Sequence, residues 1–99
     1  MREYKLLGMR VIEIVPKREM VLEYYLLTET DQENETTYYS AEIRKNENDN
    51  AEEEIEMVKG LTDSREFAVQ LVNVLLENSV TPISMVEVID DYITEKVCG

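Results

Sequence analysis

The residue types that carry most protein chemistry are scarce in this chain. It has no histidine, one cysteine (Cys98) and three scattered glycines. The commonest general base is therefore missing, a zinc site cannot be assembled within one chain, and no glycine-rich loop can cradle a phosphate. No neighbouring residue marks Cys98 as an activated nucleophile. We expect a protein that is not an enzyme and that binds no cofactor or structural metal.

The segment Arg44–Glu56, RKNENDNAEEEIE, concentrates carboxylates and amides in the manner of a calcium loop. An EF-hand loop that starts at Asn46 needs glycine at its sixth position and glutamate at its twelfth, where this sequence has Ala51 and Met57. A loop that starts at Asn48 fails at the same two positions. The segment is instead predicted to be a polar connection that leads into an acid-rich strand.

A second group of carboxylates lies near the C-terminus. Glu87, Asp91 and Glu95 are spaced four residues apart and share one face of a predicted helix, with Asp90 beside them. This candidate acidic face is either a solvated surface or a site for a divalent cation or a basic partner.

Two tyrosine doublets, Tyr24-Tyr25 and Tyr38-Tyr39, fall on two predicted strands that pair with each other. Side chains alternate between the two faces of a strand, so each doublet places one tyrosine on the side away from the core. We assign Tyr25 and Tyr38 to that side. They either pack across the strands or form part of an interface, where tyrosine is enriched.

The net charge of −12 is distributed unevenly. Residues 1–20 carry five Lys/Arg against three Glu, a net of +2, and the rest carries five Lys/Arg against nineteen carboxylates, a net of −14. Nucleic-acid backbones and anionic membranes repel so acidic a chain, so we expect neither as a partner. No apolar run is long enough to span a membrane, and no secretory signal is recognised. Since no intramolecular disulfide can form, we expect a cytoplasmic protein.

Apolar residues alternate with a period of two from about residue 9 to residue 60, which predicts three or four antiparallel strands in a meander. Pro16 suits the first central position of a type I turn between the first two strands. In the last strand, Ile55 and Met57 are expected to face the core. The first strand is the least defined, because its apolar residues also fit a helical spacing.

After residue 62 the period changes to 3.6, which predicts helices at about 64–77 and 82–97. Asp63 is the expected N-cap of the first helix, and Thr81 followed by Pro82 marks the start of the second. Each helix is apolar over about 220° of its circumference, which is more than one sheet face can cover. The surplus predicts a partner surface, for which we select Met85, Val88 and Tyr92 together with Tyr25 and Tyr38.

Three segments together are similar to a known family: EYYLLTE, TTYYSAEIRK and LTDSREFAVQLVNVLLENSVTPISMVEVIDDYI. The likeness is carried by Tyr24–Leu27, Tyr39–Ile43 and Val80–Pro82 leading to Val88–Asp91. These segments resemble a family of small, uncharacterised proteins from clostridia and related Firmicutes, a domain of unknown function. The resemblance implies a bacterial cytosolic setting and no particular activity.

The sequence thus predicts one α+β domain over residues 1–99, a three- to four-stranded antiparallel β-meander followed by two C-terminal α-helices packed on one sheet face. The leading functional hypothesis is a non-catalytic module that binds a protein partner or a second copy of itself, as a homodimer. The alternative is a small regulatory domain that binds a ligand or divalent cation through the acidic face Glu87, Asp90, Asp91 and Glu95.

Overall fold

The computed structural model describes residues 2–47 and 52–98, the last two of these by their backbone only. Four antiparallel strands lie side by side in chain order: β1 (Arg2–Val15), β2 (Arg18–Asp31), β3 (Thr36–Glu47) and β4 (Glu54–Thr62). They are followed by helix α1 (Arg65–Glu77), a 3-10 turn (Pro82–Ser84) and helix α2 (Met85–Cys98). The predicted α+β meander with two C-terminal helices is confirmed.

The first strand begins at Arg2, well before the predicted start near residue 9. It pairs with β2 along its whole length, which excludes the helical alternative for this segment. A β-bulge between Leu6 and Gly8 explains the ambiguity. One extra residue in a strand reverses the face taken by every side chain that follows, so the simple alternation is broken.

The turn between β1 and β2 is formed by Pro16 and Lys17. Lys17 has a φ of 71°. A positive φ at the second central position is incompatible with a type I turn and is the defining feature of type II. The predicted turn type is therefore wrong, although Pro16 holds the expected position.

The core lies between the sheet and the helices. Helix α1 packs across all four strands, whereas α2 packs on α1 and on the 3-10 turn, so both helices lie on one sheet face. The residues Tyr39, Ala41 and Ile43 of β3 share the core side. The other main buried members are Leu22, Tyr24 and Leu26 of β2, Ala68, Leu71, Val72 and Leu75 of α1, and Met85 and Ile89 of α2.

The prediction for β4 is wrong in which face meets the core. Ile55 and Met57 are paired with β3 residues that point away from the helices. Val58 and Leu61 pack against the core instead. Alternation identifies two faces of a strand without saying which is buried. At this sheet edge Glu56 is exposed to solvent even though it lies on the helix side. A glutamate in β4 is therefore no sign that its face points away from the core.

Both helix starts differ in detail from the prediction. The N-cap of α1 is Ser64, one residue after Asp63, and its hydroxyl accepts a hydrogen bond from the Phe67 N–H at 3.2 Å. Thr81 precedes Pro82 as expected, but the first turn is 3-10 and the Thr81 side chain makes no capping hydrogen bond. The α-helix proper begins only after that turn.

The C-terminal end of α1 is a Schellman motif joined to β1. The N–H of Val80 donates to the Leu75 carbonyl at 3.0 Å, and that of Ser79 donates to the Leu76 carbonyl at 3.2 Å. Ser79 adopts the left-handed conformation, with a φ of 50°. Nε of Arg10 also donates to the Leu76 carbonyl, at 3.0 Å. It places on the helix C-terminus the positive charge that the last turn of α1 lacks.

Gly8 lets this end of α1 approach the sheet. A Cβ at Gly8 would lie 2.6 Å from Cδ2 of Leu76. The absence of a side chain therefore allows the last turn of α1 to lie directly on β1.

Tyr24 forms a hydrogen bond between the middle of the sheet and the connection that joins the helices. Its hydroxyl donates to the Val80 carbonyl at 2.9 Å in a buried setting. Burial raises the pKa of Tyr24 to about 12, and the nearby Arg10 opposes part of that rise. Tyr24 is thus a neutral hydrogen-bond donor across the whole physiological range.

Candidate interaction surface

The sheet has an open face, opposite the helices, that no described helix covers. On β2 this face is formed by Glu23, Tyr25 and Leu27, because these residues alternate with the core residues of the same strand. The open face has two regions, which differ in how well side chains cover the backbone.

One region is covered by four side chains that we call the tyrosine–arginine cluster: Tyr4, Tyr25, Glu42 and Arg44. The guanidinium carbon of Arg44 lies 4.4 Å from the ring centroid of Tyr25 and 5.6 Å from that of Tyr4. The two rings meet edge to face, with centroids 6.5 Å apart. Leu27, opposite Tyr4 in the ladder, is fully buried although it lies on the open face. Tyr4 lies opposite Leu27 and Tyr25 lies two residues before it on the same face, so we expect these two rings to contribute to its burial.

The polar groups of this cluster have partners. Glu42 is only 4% exposed, and its Oε2 accepts a hydrogen bond from Nε of Arg44 at 2.7 Å. That hydrogen bond raises the pKa of Arg44. The Tyr25 hydroxyl donates to Glu23 at 3.2 Å, and burial together with the Glu23 charge raises the pKa of Tyr25. The raised pKa values of Arg44 and Tyr25 keep both groups protonated near neutral pH, which favours a structural role for them over acid–base chemistry.

The other region is uncovered. Leu6, Met9 and Val11 of β1, which we call the β1 stripe, are each about half exposed on the open face. Among the described strands, β1 has a neighbour on one side only, so its outer edge presents backbone N–H and C=O groups to solvent. A long edge with exposed apolar side chains is a surface suited to binding another strand.

The two tyrosines predicted for the partner surface are placed on the open face. Tyr25 belongs to the tyrosine–arginine cluster and is half buried beneath Arg44. Tyr38 is exposed at the far end of the sheet. It borders an open hollow of about 330 Å³, whose other lining residues are Arg2, Glu29, Thr30 and Asp31.

The helical part of the predicted surface is largely internal. Met85 is fully buried, so its side chain is not available to a partner and its assignment is corrected. Val88 and Tyr92 are half buried and pack against the core. Ile83, which is 92% exposed, and Val86 face solvent instead. The apolar arc of α2 is wider than its buried side, and helical spacing alone does not show which part of the arc faces the core.

The candidate acidic face is exposed along α2, at Glu87, Asp90, Asp91 and Glu95. Among the residues that the structure describes, no three carboxylate, histidine or cysteine side chains are grouped so that they could hold one metal ion. Much of the polar connection, residues 48–51, and the Cys98 side chain lie outside the described part.

The β1 stripe is missing from the surface predicted by sequence. A glycine inside an apolar strand is typical of a bulge, and Gly8 is such a glycine. A bulge at this position places Leu6, Met9 and Val11 on one face, which strict alternation does not. Gly8 was therefore the signal that could have identified the stripe.

Comparisons with known proteins identify the family of this chain but do not indicate an activity. Within residues 2–47 and 52–98, no helix is long and apolar enough to cross a membrane. No curated protein and no solved structure matches the chain. One family model, described as a family of unknown function, matches residues 3–95, from the beginning of β1 to near the end of α2. The chain therefore belongs to this family, DUF6514.

Proposed function

We propose that this protein is a non-catalytic interaction module of the cytoplasm that binds a protein partner along β1. The proposal rests on the length of that edge strand and on the apolar side chains of its open face. β1 is 14 residues long, and its open-face positions from Tyr4 to Val11 carry no charge. Soluble proteins usually protect an edge strand with charges, prolines, a bulge or a short length. β1 has a bulge and the helix-side charges Lys5 and Arg10, but the long apolar stretch on its open face is explained by a partner that covers it.

Strand addition is the mode of binding that fits this edge. An added strand would form backbone hydrogen bonds with β1, and its alternate side chains would pack against the β1 stripe. The nearby basic residues Lys5 and Arg10 lie on the opposite, helix side of β1, paired with Leu26 and Leu22. They leave the apolar contact surface uninterrupted.

Site-specific photo-cross-linking tests this proposal. A photoreactive amino acid in place of Val11 is expected to capture a protein partner in cells of the host. The matched control replaces Ile55, because the two side chains are 54% and 53% exposed on the same face at opposite edges of the sheet. Capture at neither position, or equal capture at both, would contradict binding along β1.

A further inference from the structure

We infer that the strand that occupies the β1 edge is β1 of a second copy, paired antiparallel about a two-fold axis. The two four-stranded sheets would then form one continuous sheet of eight strands. This inference rests on the proposed function and names its partner.

The bulge makes β1 complementary to itself. Tyr4 and Leu6, which precede the bulge, share the open face with Met9 and Val11, which follow it. Antiparallel pairing about an axis through the bulge places Leu6 opposite Met9 of the second copy and Tyr4 opposite Val11. Both pairs have their two side chains on the same face, as cross-strand packing requires. In a strand without the bulge, Tyr4 and Val11 would lie on opposite faces and this register would fail.

Charge favours this edge over the other edge of the sheet. β1 carries Arg2, Lys5 and Arg10 against Glu3 and Glu13, a net of +1 in a chain whose net charge is −12. β4 carries Glu54 and Glu56 against Lys59, a net of −1, and follows Glu52 and Glu53. β1 is thus the less acidic of the two edge strands. Two copies of this acidic chain therefore repel each other less when they meet at β1 than when they meet at β4.

The same register pairs opposite charges at its ends. Arg2, whose guanidinium also contacts Glu29 of its own chain at 3.4 Å, would lie opposite Glu13 of the second copy, and a two-fold axis makes this pair occur twice. Within one chain Glu13 lies directly opposite Glu19. An arginine from the second copy would therefore approach a position where two glutamates face each other across the strands.

One contact in this register joins like charges. On the helix side Lys5 would face Arg10 of the second copy. Glu3 would lie diagonal to that same Arg10, within reach of a long side chain. Arg10 also directs its Nε to the Leu76 carbonyl, which turns this part of its guanidinium toward the helix end.

Sedimentation of two matched variants tests the inference. The wild-type chain is expected to pass from monomer to dimer between micromolar and millimolar concentration. Val11→Lys should weaken the dimer about tenfold or more, because it places a charge on the apolar open face, opposite Tyr4 of the second copy. Ile55→Lys, equally exposed at the other edge, should leave the dimer unchanged. Circular dichroism should show that both variants keep their fold.

Three outcomes would overturn the inference: a wild-type chain that stays monomeric, equal weakening by both lysine variants, or growth beyond a dimer. The last would indicate pairing of β1 with β4 of another copy, since that contact leaves two free edges and continues into a filament. If photo-cross-links from position 11 join a different protein while the chain is monomeric, the proposed function stands and self-pairing falls.

A charge exchange tests the ends of the register. Arg2→Glu and Glu13→Lys should each weaken the dimer, roughly 3- to 10-fold. The double variant should restore wild-type affinity, because the exchanged charges attract again. Arg18→Glu is the control, since Arg18 lies past the paired segment, beyond the turn, and contacts Glu47 of its own chain. A double variant weaker than either single one would contradict the Arg2–Glu13 pairing.

Cysteine pairing tests the centre of the register. Leu6→Cys and Met9→Cys are made separately in a Cys98→Ser background. A mixture of the two proteins should form a covalent dimer under mild oxidation, and each protein alone should form much less. Efficient linkage by either protein alone would show a different register.

Discussion

The two faces of the sheet are covered by different means. On the helix face, side chains from α1 and α2 enclose the strands, and the Tyr24 hydroxyl is bound to the Val80 carbonyl from the connection between the helices. On the open face, the cover is made by the sheet's own long side chains, chiefly Tyr25 and Arg44. The difference shows that amphipathic side chains lying across strands can bury a residue as fully as a helix does.

This second kind of cover reaches only part of the open face. Leu27, which lies beside Tyr4 and Tyr25 of the tyrosine–arginine cluster, is fully buried, but the β1 stripe is about half exposed even at Leu6, which lies opposite Tyr25. A helix covers a broad area, whereas a cluster covers only what its own side chains can span. The uncovered remainder is the surface to which we assign binding.

The largest expected effect compares two adjacent leucines. Leu26 and Leu27 are both buried, one on each face. Leu26→Ala should lower the free energy of unfolding by roughly 3–4 kcal/mol, within the range for leucine in a helix-packed core. Leu27→Ala should lower it by only about 2 kcal/mol, because the side chains above it can settle into the space. Urea denaturation measures both. Equal losses would show that the cluster is as rigid as the helix layer.

The next comparison concerns two arginine–glutamate pairs. Arg44→Ala should lower stability by roughly 2–3 kcal/mol, because it leaves the Glu42 carboxylate buried without its partner. Arg18→Ala should cost less than about 1 kcal/mol, because its pair with Glu47 is solvated. In a Glu42→Gln background the loss from Arg44→Ala should shrink. An unchanged loss would assign the effect to stacking on Tyr25.

On the helix face, Tyr24→Phe should lower stability at neutral pH by about 1–2 kcal/mol, because the buried Val80 carbonyl loses its donor. Tyr38→Phe, on the exposed end of the open face, should change stability little. Thermal or urea unfolding at one neutral pH compares them. Equal effects would contradict a structural role for the buried hydrogen bond.

The same tyrosine should make stability fall at alkaline pH. The pKa of Tyr24 is raised from 10.0 to about 12 on folding, so folding favours the neutral form. The stabilisation is intact below pH 10 and is lost as the pH rises through 12, by roughly 2–3 kcal/mol in total. Tyr24→Phe should lack this part of the decline, and Tyr38→Phe should retain it. Identical alkaline profiles for wild type and Tyr24→Phe would contradict the assignment.

A smaller effect compares two residues held at positive φ. Ser79 ends α1 on the helix side, and Lys17 lies at the turn between β1 and β2. Replacement of either by glycine should raise stability by about 0.5–1 kcal/mol, because glycine accepts this conformation without strain. The gain should be larger at Ser79, whose conformation is fixed by the Schellman hydrogen bonds. A loss at Ser79 would show that the strain there is negligible.

The smallest expected effect concerns the acidic face of α2. Millimolar Ca²⁺, Mg²⁺ or Mn²⁺ should shift the melting temperature by less than about 1 °C, as for weak, unspecific association. A Glu87→Gln/Asp91→Asn variant should respond in the same way. A larger shift in the wild type than in this variant would favour the alternative function, a cation-binding regulatory domain.

Periodicity predicted the meander and both helices because each has a long, regular apolar pattern. The core side of β3 at Tyr39, Ala41 and Ile43 followed from the same alternation. The tyrosine doublets placed Tyr25 on the open face, but they gave no indication of Tyr4 and Arg44, which stack with it.

The remaining errors have physical causes that a local sequence pattern does not contain. The bulge before Gly8 reverses the pattern in β1, and the apolar arc of α2 is too wide to show that Met85 lies on its buried side. In the edge strand β4, carboxylates are exposed to solvent on both faces. The positions of the glutamates therefore did not show which face packs against the core. The stacking of Arg44 on Tyr25 depends on a strand register that no local pattern encodes.

The contact between α1 and β1 has a consequence for the kinetics of binding. Gly8 and Arg10 fix the end of α1 on the strand, close to the middle of the proposed contact. An arriving strand therefore meets a template that is already ordered, and little conformational entropy remains to be lost on association. Such an edge should capture its partner without a slow folding step, so that differences in affinity among variants appear mainly in the dissociation rate.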